Sequence, residues 1–189
     1  PMWQRQPGFS TLVHIILEQQ VSLAAAASMF ARLQQHIEPF DPARMLQLGE
    51  VHLRSLGLTR QKTAYCLHLA ETVGSRQLRL EDFSSLDDEA VKSALMQVKG
   101  IGLWSAEVYL LMVLRRPDIW PANDLALATA AHKVKRLKKR PTPERLIQLA
   151  ESWRPFRSVA ARMLWQSYLG ERGKLEPKPT SKLSKVLKS

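Results

Sequence analysis

The chain of 189 residues has a formal net charge of +11 and an isoelectric point near 10.2, which favours a polyanionic partner, nucleic acid above all. Cys66 is the only cysteine, which excludes a disulfide framework, a cysteine-rich zinc site and a four-cysteine iron–sulfur cluster. No apolar run reaches the 18 residues of a membrane span, so we expect a soluble intracellular protein with no membrane partner.

Helical periodicity runs along nearly the whole chain, and alternating strand patterns bounded by turn residues are missing. The sequence therefore predicts an all-α fold. In the N-terminal part, Ser10, Ser22, Thr59 and Asp87 stand where helix caps are expected. The helices predicted there are 9–19, 23–37, two short helices over 42–49 and 50–57, 60–74 and 88–98.

Prolines separate the helices predicted in the rest of the chain. These are 103–115, a helix from Asn123 or Asp124 to about Leu137, 143–152 and 157–169. Residues 1–170 are thus expected to form one helical core. Residues 171–189 combine lysine, proline and serine with little apolar periodicity, which is typical of a basic, flexible tail.

The segment 96–115 predicts a helix end, a tight turn with the sequence KGIG, and a second helix. Glycines at 100 and 102 have no Cβ atom, so the turn can present backbone N–H groups to a closely approaching phosphate. The N-terminus of the second helix adds donors and a positive dipole end. The candidate phosphate contacts are Lys99, Gly100, Ile101 and Gly102. An ordinary helix–helix turn capped by glycine explains the same residues equally well.

Asp124 follows a proline-bounded loop, 20 residues after Trp104, at the expected start of a helix. A helix N-terminus favours a negatively charged carboxylate. Asp124 could be an ordinary N-cap. Alternatively, Asn123 could be the cap and leave Asp124 available for chemistry.

The order of the KGIGLWSAE turn and the PANDLAL segment resembles the helix–hairpin–helix DNA glycosylases, most closely the alkylation-repair branch of the 3-methyladenine DNA glycosylase II type. The segments 12–27, 56–70 and 152–165 also resemble family segments in the family's order, so the resemblance covers about 10 to 169. It implies a two-lobed helical fold with an active-site cleft between the lobes. It also implies a monofunctional enzyme of base excision repair that hydrolyses the N-glycosidic bond of alkylated bases in DNA, with 3-methyladenine as the first candidate base and 7-methylguanine as the second.

The resemblance gives three residues an expected role in a reaction that requires the damaged nucleotide to be flipped out of the duplex. Asp124 matches the family's catalytic aspartate, which stabilises an oxocarbenium-like sugar. Trp104 stands where strand-cutting relatives carry a lysine that forms a Schiff base, so no strand cutting is expected. Trp104 and Trp165 match aromatic pocket positions, where electron-rich rings attract a cationic alkylated base. Core packing is the alternative for both tryptophans.

Other residues are expected to engage the duplex. Gln20 matches the residue that fills the gap left by the flipped base, and Leu58 matches a second insertion loop of some members. Arg60 and Lys62 could reach phosphates beside that loop. Residues 133–140 include six basic residues, which could lie along the DNA backbone or form a solvated helix face. The alternatives are a solvated polar residue for Gln20 and a core residue for Leu58.

The resemblance implies no organic cofactor and no catalytic metal. The backbone carbonyls of Met96, Val98 and Ile101 could hold a structural Na⁺ or K⁺ that bridges the turn to a phosphate. The expected partner is double-stranded DNA with damaged bases, bound by a monomer. The expected location is the nucleoid in the cytoplasm of a bacterium, or the nucleus of a eukaryote.

Two positions depart from the family pattern. Val108 stands where close relatives can have a pocket tyrosine, and Lys99 stands where a proline is frequent, so the range of lesions stays open. Two other functions also stay open. A non-catalytic DNA-binding module would not depend on Asp124, and a glycosylase for another damaged base, such as uracil or hypoxanthine, would need specific hydrogen-bond partners.

Overall fold

The computed structural model describes residues 5–173, with side chains up to residue 170, and every regular element in this range is a helix. The all-α prediction is confirmed. The elements are α1 (Phe9–Glu18), α2 (Leu23–His36), α3 (Pro42–Ser55), α4 (Arg60–Gly74), α5 (Asp88–Met96), α6 (Leu103–Met112), α7 (Leu125–Val134), α8 (Pro143–Ala150) and α9 (Arg157–Gly173), with short 3₁₀ helices at Leu80–Ser84 and Glu151–Trp153. The first three residues of the predicted tail continue α9, and 174–189 lie outside the described residues.

Polar side chains cap the starts of α2, α4 and α5 as predicted. Ser22, Thr59 and Asp87 each accept a hydrogen bond from a backbone N–H three residues further on. The prediction for Ser10 is wrong, because α1 begins at Phe9 with Gly8 as its N-cap. Phe9 is buried and packs on the Phe40 ring at 6.1 Å, so the helix starts one residue before the expected cap.

The two short helices predicted between residues 42 and 57 follow each other without a loop. The helical run α3 breaks at Gly49, whose φ of 74° and ψ of 173° lie outside the helical region. A positive φ of this size favours glycine. Gly49 therefore turns one helical segment against the next.

The chain divides into two compact units after Pro121, within the range predicted as one core. The first unit is built around α1, which packs against α2, α4 and α6, while α5 packs on α6. Five consecutive or near-consecutive apolar side chains of α1 are fully buried: Leu12, Val13, Ile15, Ile16 and Leu17. Because both sides of α1 are covered, the residues that follow its end have a fixed place in this unit.

In the second unit, α7 packs against α9 and α8. The side of α7 that is buried carries small residues, Ala128, Ala130 and Ala131, which allow a neighbouring helix to approach closely. From α9, Leu164 and Trp165 are buried. This packing brings the Trp165 indole to the start of α7.

Residues 5–173 contain no helix that is long and apolar enough to cross a membrane. The same range holds no group of three or more histidine, cysteine, aspartate or glutamate side chains that could bind a metal ion. Cys66 is fully buried, and burial raises the pKa of its thiol to about 12. The thiol is therefore an inert core group at neutral pH.

Candidate functional site

The turn between α5 and α6, residues 97–102, is called the hairpin turn below. At Gly100 the backbone has a φ of 91°, and an added Cβ atom would lie 2.2 Å from Cγ of the Tyr65 ring. No other residue fits there without moving Tyr65 or the turn. Gly100 is therefore required by packing within the first unit, whatever the turn binds.

Gly102 has a different surrounding. It is the N-cap of α6, has a φ of −95°, and, as a glycine, has no side chain that could cap the helix. An added Cβ atom would meet nothing within 4 Å, and the residue is exposed. The N-terminus of α6 is thus open to an incoming group, and its first backbone N–H groups suit an anion.

The other two predicted phosphate contacts of the hairpin turn, Lys99 and Ile101, differ in exposure. Lys99 is exposed, and its backbone N–H donates to Nδ1 of His68 at 3.1 Å. Ile101 is 4% exposed, so its side chain anchors the turn in the core. Any contact of Ile101 with a ligand would therefore come from its backbone.

Of the three carbonyls predicted to hold a monovalent cation, the Val98 oxygen already accepts a hydrogen bond from the Ile101 N–H at 3.0 Å. A carbonyl oxygen has a second lone pair, so this bond still leaves an acceptor position. Met96 ends α5 and is exposed. The cation site stays a prediction.

The end of α1 carries two adjacent glutamines with different roles. Gln20 is exposed and has a φ of 58°, so the chain turns sharply at this residue. The Gln19 side chain is half-buried, and its Nε2 donates to the Gly100 carbonyl at 2.8 Å and to Oγ of Ser105 at 3.0 Å. This bridge could not be predicted from the sequence, because two adjacent glutamines offer no pattern that separates their roles.

Two of the predicted duplex contacts are contradicted by burial. Leu58 is 4% exposed and lies in the core, so it is not available for insertion. Lys62 is 8% exposed, and its Nζ donates to the Leu17 carbonyl at the end of α1. Burial lowers the pKa of Lys62, and its ammonium group caps the C-terminal end of α1 instead of reaching solvent. Arg60 is exposed at the start of α4.

Asp124 is the N-cap of α7, so the alternative in which Asn123 is the cap is wrong. Its Oδ1 accepts a hydrogen bond from the Leu127 N–H at 2.7 Å and another from Nε1 of Trp165 at 3.1 Å. Asp124 is 8% exposed and Trp165 is 7% exposed. The helix start and the indole together fix the orientation of one carboxylate, which is what a reaction at a developing positive charge requires.

The two tryptophans expected in the base pocket differ in their surroundings. Trp104 is the second residue of α6 and is half-buried. Trp165 is buried and uses the N–H edge of its indole to bind Asp124. Its role is thus at least that of a support for the carboxylate, and stacking of either ring on a base stays a prediction.

Val108, which matches the position of the pocket tyrosine expected from the resemblance, is 4% exposed. The adjacent Tyr109 does not replace that tyrosine, because it is fully buried and packs edge-to-face on Phe83 at 5.9 Å between ring centroids. Tyr109 is therefore a core residue of the first unit.

The basic run 133–140 is not one helix face, because α7 ends at Val134 and Arg136 has a φ of 50°. Residues 135–140 form a loop, called the basic loop below. Its charged side chains are exposed, and Nζ of Lys135 lies 5.1 Å from the centroid of the Trp153 ring. This cation–π contact ties the loop to the segment before α9.

Comparison with known proteins supports the resemblance. The chain matches the family described as HhH-GPD superfamily base excision DNA repair protein over residues 13–155. It is 25% identical over 167 residues to a putative DNA-3-methyladenine glycosylase, YfjP, of Bacillus subtilis, which covers 84% of this chain and 58% of that protein. It is 28% identical over 170 residues to DNA-3-methyladenine glycosylase 1 of Schizosaccharomyces pombe, which covers 88% of this chain and 74% of that protein.

A solved structure shows the same fold. The 3-methyladenine DNA glycosylase of Schizosaccharomyces pombe in complex with abasic DNA superposes with a TM-score of 0.78 and 26% identity, covering 87% of this chain and 82% of that chain. The chain spans about three fifths of the length of the Bacillus relative and about three quarters of that of the yeast relative.

Proposed function

Because the chain belongs to the HhH-GPD superfamily of base excision DNA repair proteins, we propose that it is a monofunctional DNA glycosylase for alkylated bases. Its substrates are duplexes that contain 3-methyladenine, and 7-methylguanine as a second base of the same cationic class. The observation that carries the proposal is the Asp124 carboxylate, buried and oriented by Leu127 and Trp165.

The proposed role of Asp124 is electrostatic. Cleavage of the N-glycosidic bond leaves positive charge on the deoxyribose, and a fixed carboxylate stabilises that charge more than mobile water can. Water then adds to the sugar and releases a proton to the solvent, and the product is an abasic site. An alkylated purine already carries a positive charge and leaves as a neutral base, so the reaction needs no general acid.

Recognition of the base is assigned to aromatic rings. Trp104 and Trp165 match the family's aromatic positions, and each ring can attract a cationic base by about 0.5–2 kcal/mol. Trp104 also replaces the lysine of the strand-cutting members, so the proposed product is an abasic site in an intact strand.

Engagement of the duplex is assigned to the first unit and to the basic loop. The open N-terminus of α6 at Gly102 would bind one backbone phosphate, with Lys99 beside it and with a monovalent cation at the carbonyls of Met96, Val98 and Ile101 as a second bridge. Gln20, exposed and sharply turned, would fill the gap left by the flipped base. Arg60 would add a phosphate contact. The protein would act as a monomer on chromosomal DNA, at the nucleoid or in the nucleus.

The test is release of free bases from methylated duplex DNA, separated by chromatography. Asp124→Asn keeps a side chain that caps helices well but removes the charge, so it should lower base release by about 10²–10³-fold. Binding to a duplex with a tetrahydrofuran abasic analogue should change little. Asp124→Ala should be equally inactive and also less stable, by about 0.5–2 kcal/mol for the lost cap.

Three results would change the assignment. No base released by the wild-type protein, with DNA binding intact, would favour the non-catalytic module. Release of uracil or hypoxanthine in place of methylated purines would favour a glycosylase for another base. Normal activity of Asp124→Asn would remove Asp124 from the mechanism.

A further inference from the structure

The bridge made by Gln19 joins two parts of the first unit that lie 81 residues apart in sequence. On one side is the turn after α1, residues 19–22, called the insertion turn below. On the other side is the hairpin turn, where the amide nitrogen of Gln19 binds the Gly100 carbonyl at 2.8 Å. The same nitrogen binds Oγ of Ser105 in α6 at 3.0 Å.

Both acceptors of this bridge are themselves fixed. Gly100 stands against the Tyr65 ring, which leaves no room for even a methyl group. Ser105 is 2% exposed, inside the first turns of α6. The Gln19 amide thus binds a rigid part of the hairpin, and its two N–H groups are used by two acceptors.

The insertion turn has a second anchor on its other side. Nζ of Lys62 donates to the Leu17 carbonyl, two residues before Gln19. Between this anchor and the capping hydroxyl of Ser22, which accepts from the Ala25 N–H, only a few residues are free to move. Gln20 is the exposed member of that short segment with a positive φ.

From these contacts we propose that Gln19 is a positioning residue for the insertion turn. It holds Gln20 at a fixed distance from the phosphate-binding face of the hairpin turn. Gln20 can therefore enter the base stack while the hairpin turn binds the backbone of the same duplex. The inference rests on the proposed function, in which Gln20 fills the gap left by the flipped base.

Four variants separate this role from simple packing: Gln19→Ala, Gln19→Glu, Gln20→Ala and the double variant with alanine at both positions. Gln19→Glu keeps the size of the side chain, but a carboxylate cannot donate to the Gly100 carbonyl. Affinities are measured for a duplex with a central tetrahydrofuran site and for the intact duplex of the same sequence. 2-Aminopurine opposite the tetrahydrofuran reports insertion through its fluorescence.

The preference for the tetrahydrofuran duplex is its affinity divided by the affinity for the intact duplex. If Gln19 positions the turn, Gln19→Ala and Gln19→Glu lower this ratio by about 5- to 20-fold. The fluorescence change on binding becomes smaller in both, and the affinity for the intact duplex stays within about twofold of wild type. In the background of Gln20→Ala, the change at position 19 has no further effect on the preference, because the residue that it positions is already missing.

Each failure has its own signature. If Gln20→Ala leaves the preference and the fluorescence unchanged, insertion by Gln20 is wrong. If Gln20→Ala lowers the preference but Gln19→Glu behaves as wild type, the bridge does not position the turn. Additive losses in the double variant, or equal losses on both duplexes, would also overturn the inference, because they indicate a role in folding or in general affinity. Thermal unfolding of each variant identifies a loss of fold directly.

Discussion

Nε1 of Trp165 donates a hydrogen bond to Oδ1 of Asp124 at 3.1 Å, and both residues are more than nine-tenths buried. The ring that we propose for the base pocket therefore also supports the carboxylate that we propose to be catalytic. A hydrogen bond to a charged group contributes about 1.5–3 kcal/mol. Its loss should appear mainly in the chemical step.

Trp165→Phe removes the N–H donor but keeps an aromatic ring. We expect the single-turnover rate of base release to fall by about 10- to 100-fold. A ring that serves only for stacking would instead lose substrate affinity and keep the rate at saturation. Trp153→Phe is the matched control, since the Trp153 ring lies against Lys135 in the same unit. An unchanged saturated rate for Trp165→Phe would show that the bond does not orient Asp124 for catalysis.

The two glycines of the hairpin turn should respond to alanine in opposite ways. Gly100→Ala places a methyl group 2.2 Å from the Tyr65 ring at a φ of 91°, so the protein should lose several kcal/mol of stability or fail to fold. Gly102→Ala meets no neighbour within 4 Å, and thermal unfolding should stay close to that of wild type.

The substitution at Gly102 should instead affect the affinity for DNA. The methyl group of Gly102→Ala stands at the open N-terminus of α6, where a phosphate is proposed to bind, so affinity for duplex DNA should fall by about tenfold. The measurement is fluorescence anisotropy of a labelled intact duplex, with circular dichroism to verify the fold. Normal affinity of a folded Gly102→Ala protein would exclude close approach of the backbone at this position.

The sequence predicted the parts of the fold that depend on local pattern. The helices and the caps at Ser22, Thr59 and Asp87 follow from periodicity and from the hydrogen bonds that short polar side chains make with the backbone. The fates of Leu58 and Lys62 could not be predicted in this way. Leu58 lies between α3 and α4, and Lys62 lies in the first turn of α4, where its burial depends on the Leu17 carbonyl at the end of α1, far away in sequence.

For the site residues too, local pattern was predictable from the sequence and tertiary contacts were not. The helix start near Asp124 was predictable from the proline-bounded loop before it, but the sequence left Asn123 and Asp124 open as the cap, and the catalytic role of Asp124 stays a prediction. The bond of Asp124 to Trp165 was not predictable, because the packing of α9 on α7 decides which edge of the indole faces the carboxylate. The Gln19 bridge likewise depends on the meeting of α1 with α6.

The basic loop should contribute a salt-dependent part of the affinity. Lys138, Lys139 and Arg140 are exposed, and each phosphate contact adds about 0.9 to the slope of log affinity against log salt concentration on duplex DNA. Replacing the three by glutamine should flatten the slope by about 0.9 for each contact that the wild type makes. The control replaces Arg44, Arg54 and Lys92, which removes the same charge from the first unit. Equal flattening by both sets would indicate a general charge effect and not a contact of this loop.

Strand cutting should be absent, and the surroundings of Lys62 and the residue at position 104 give the physical reasons. Schiff-base formation needs an uncharged amine that can reach the sugar. Burial lowers the pKa of Lys62, which would favour such an amine, but its Nζ is bound to the Leu17 carbonyl inside the first unit. Position 104, which the resemblance matches to the nucleophilic lysine of strand-cutting enzymes, is a tryptophan.

Borohydride added during turnover should therefore trap no covalent complex with methylated or abasic duplex, and the product strand should break only after treatment with alkali. A bifunctional glycosylase on the same duplex serves as the positive control for trapping. A trapped complex that persists in Lys62→Gln would assign the amine to another lysine and would make this protein a strand-cutting enzyme. Loss of trapping in Lys62→Gln would instead require α1 and α4 to open, since Nζ of Lys62 is buried between them.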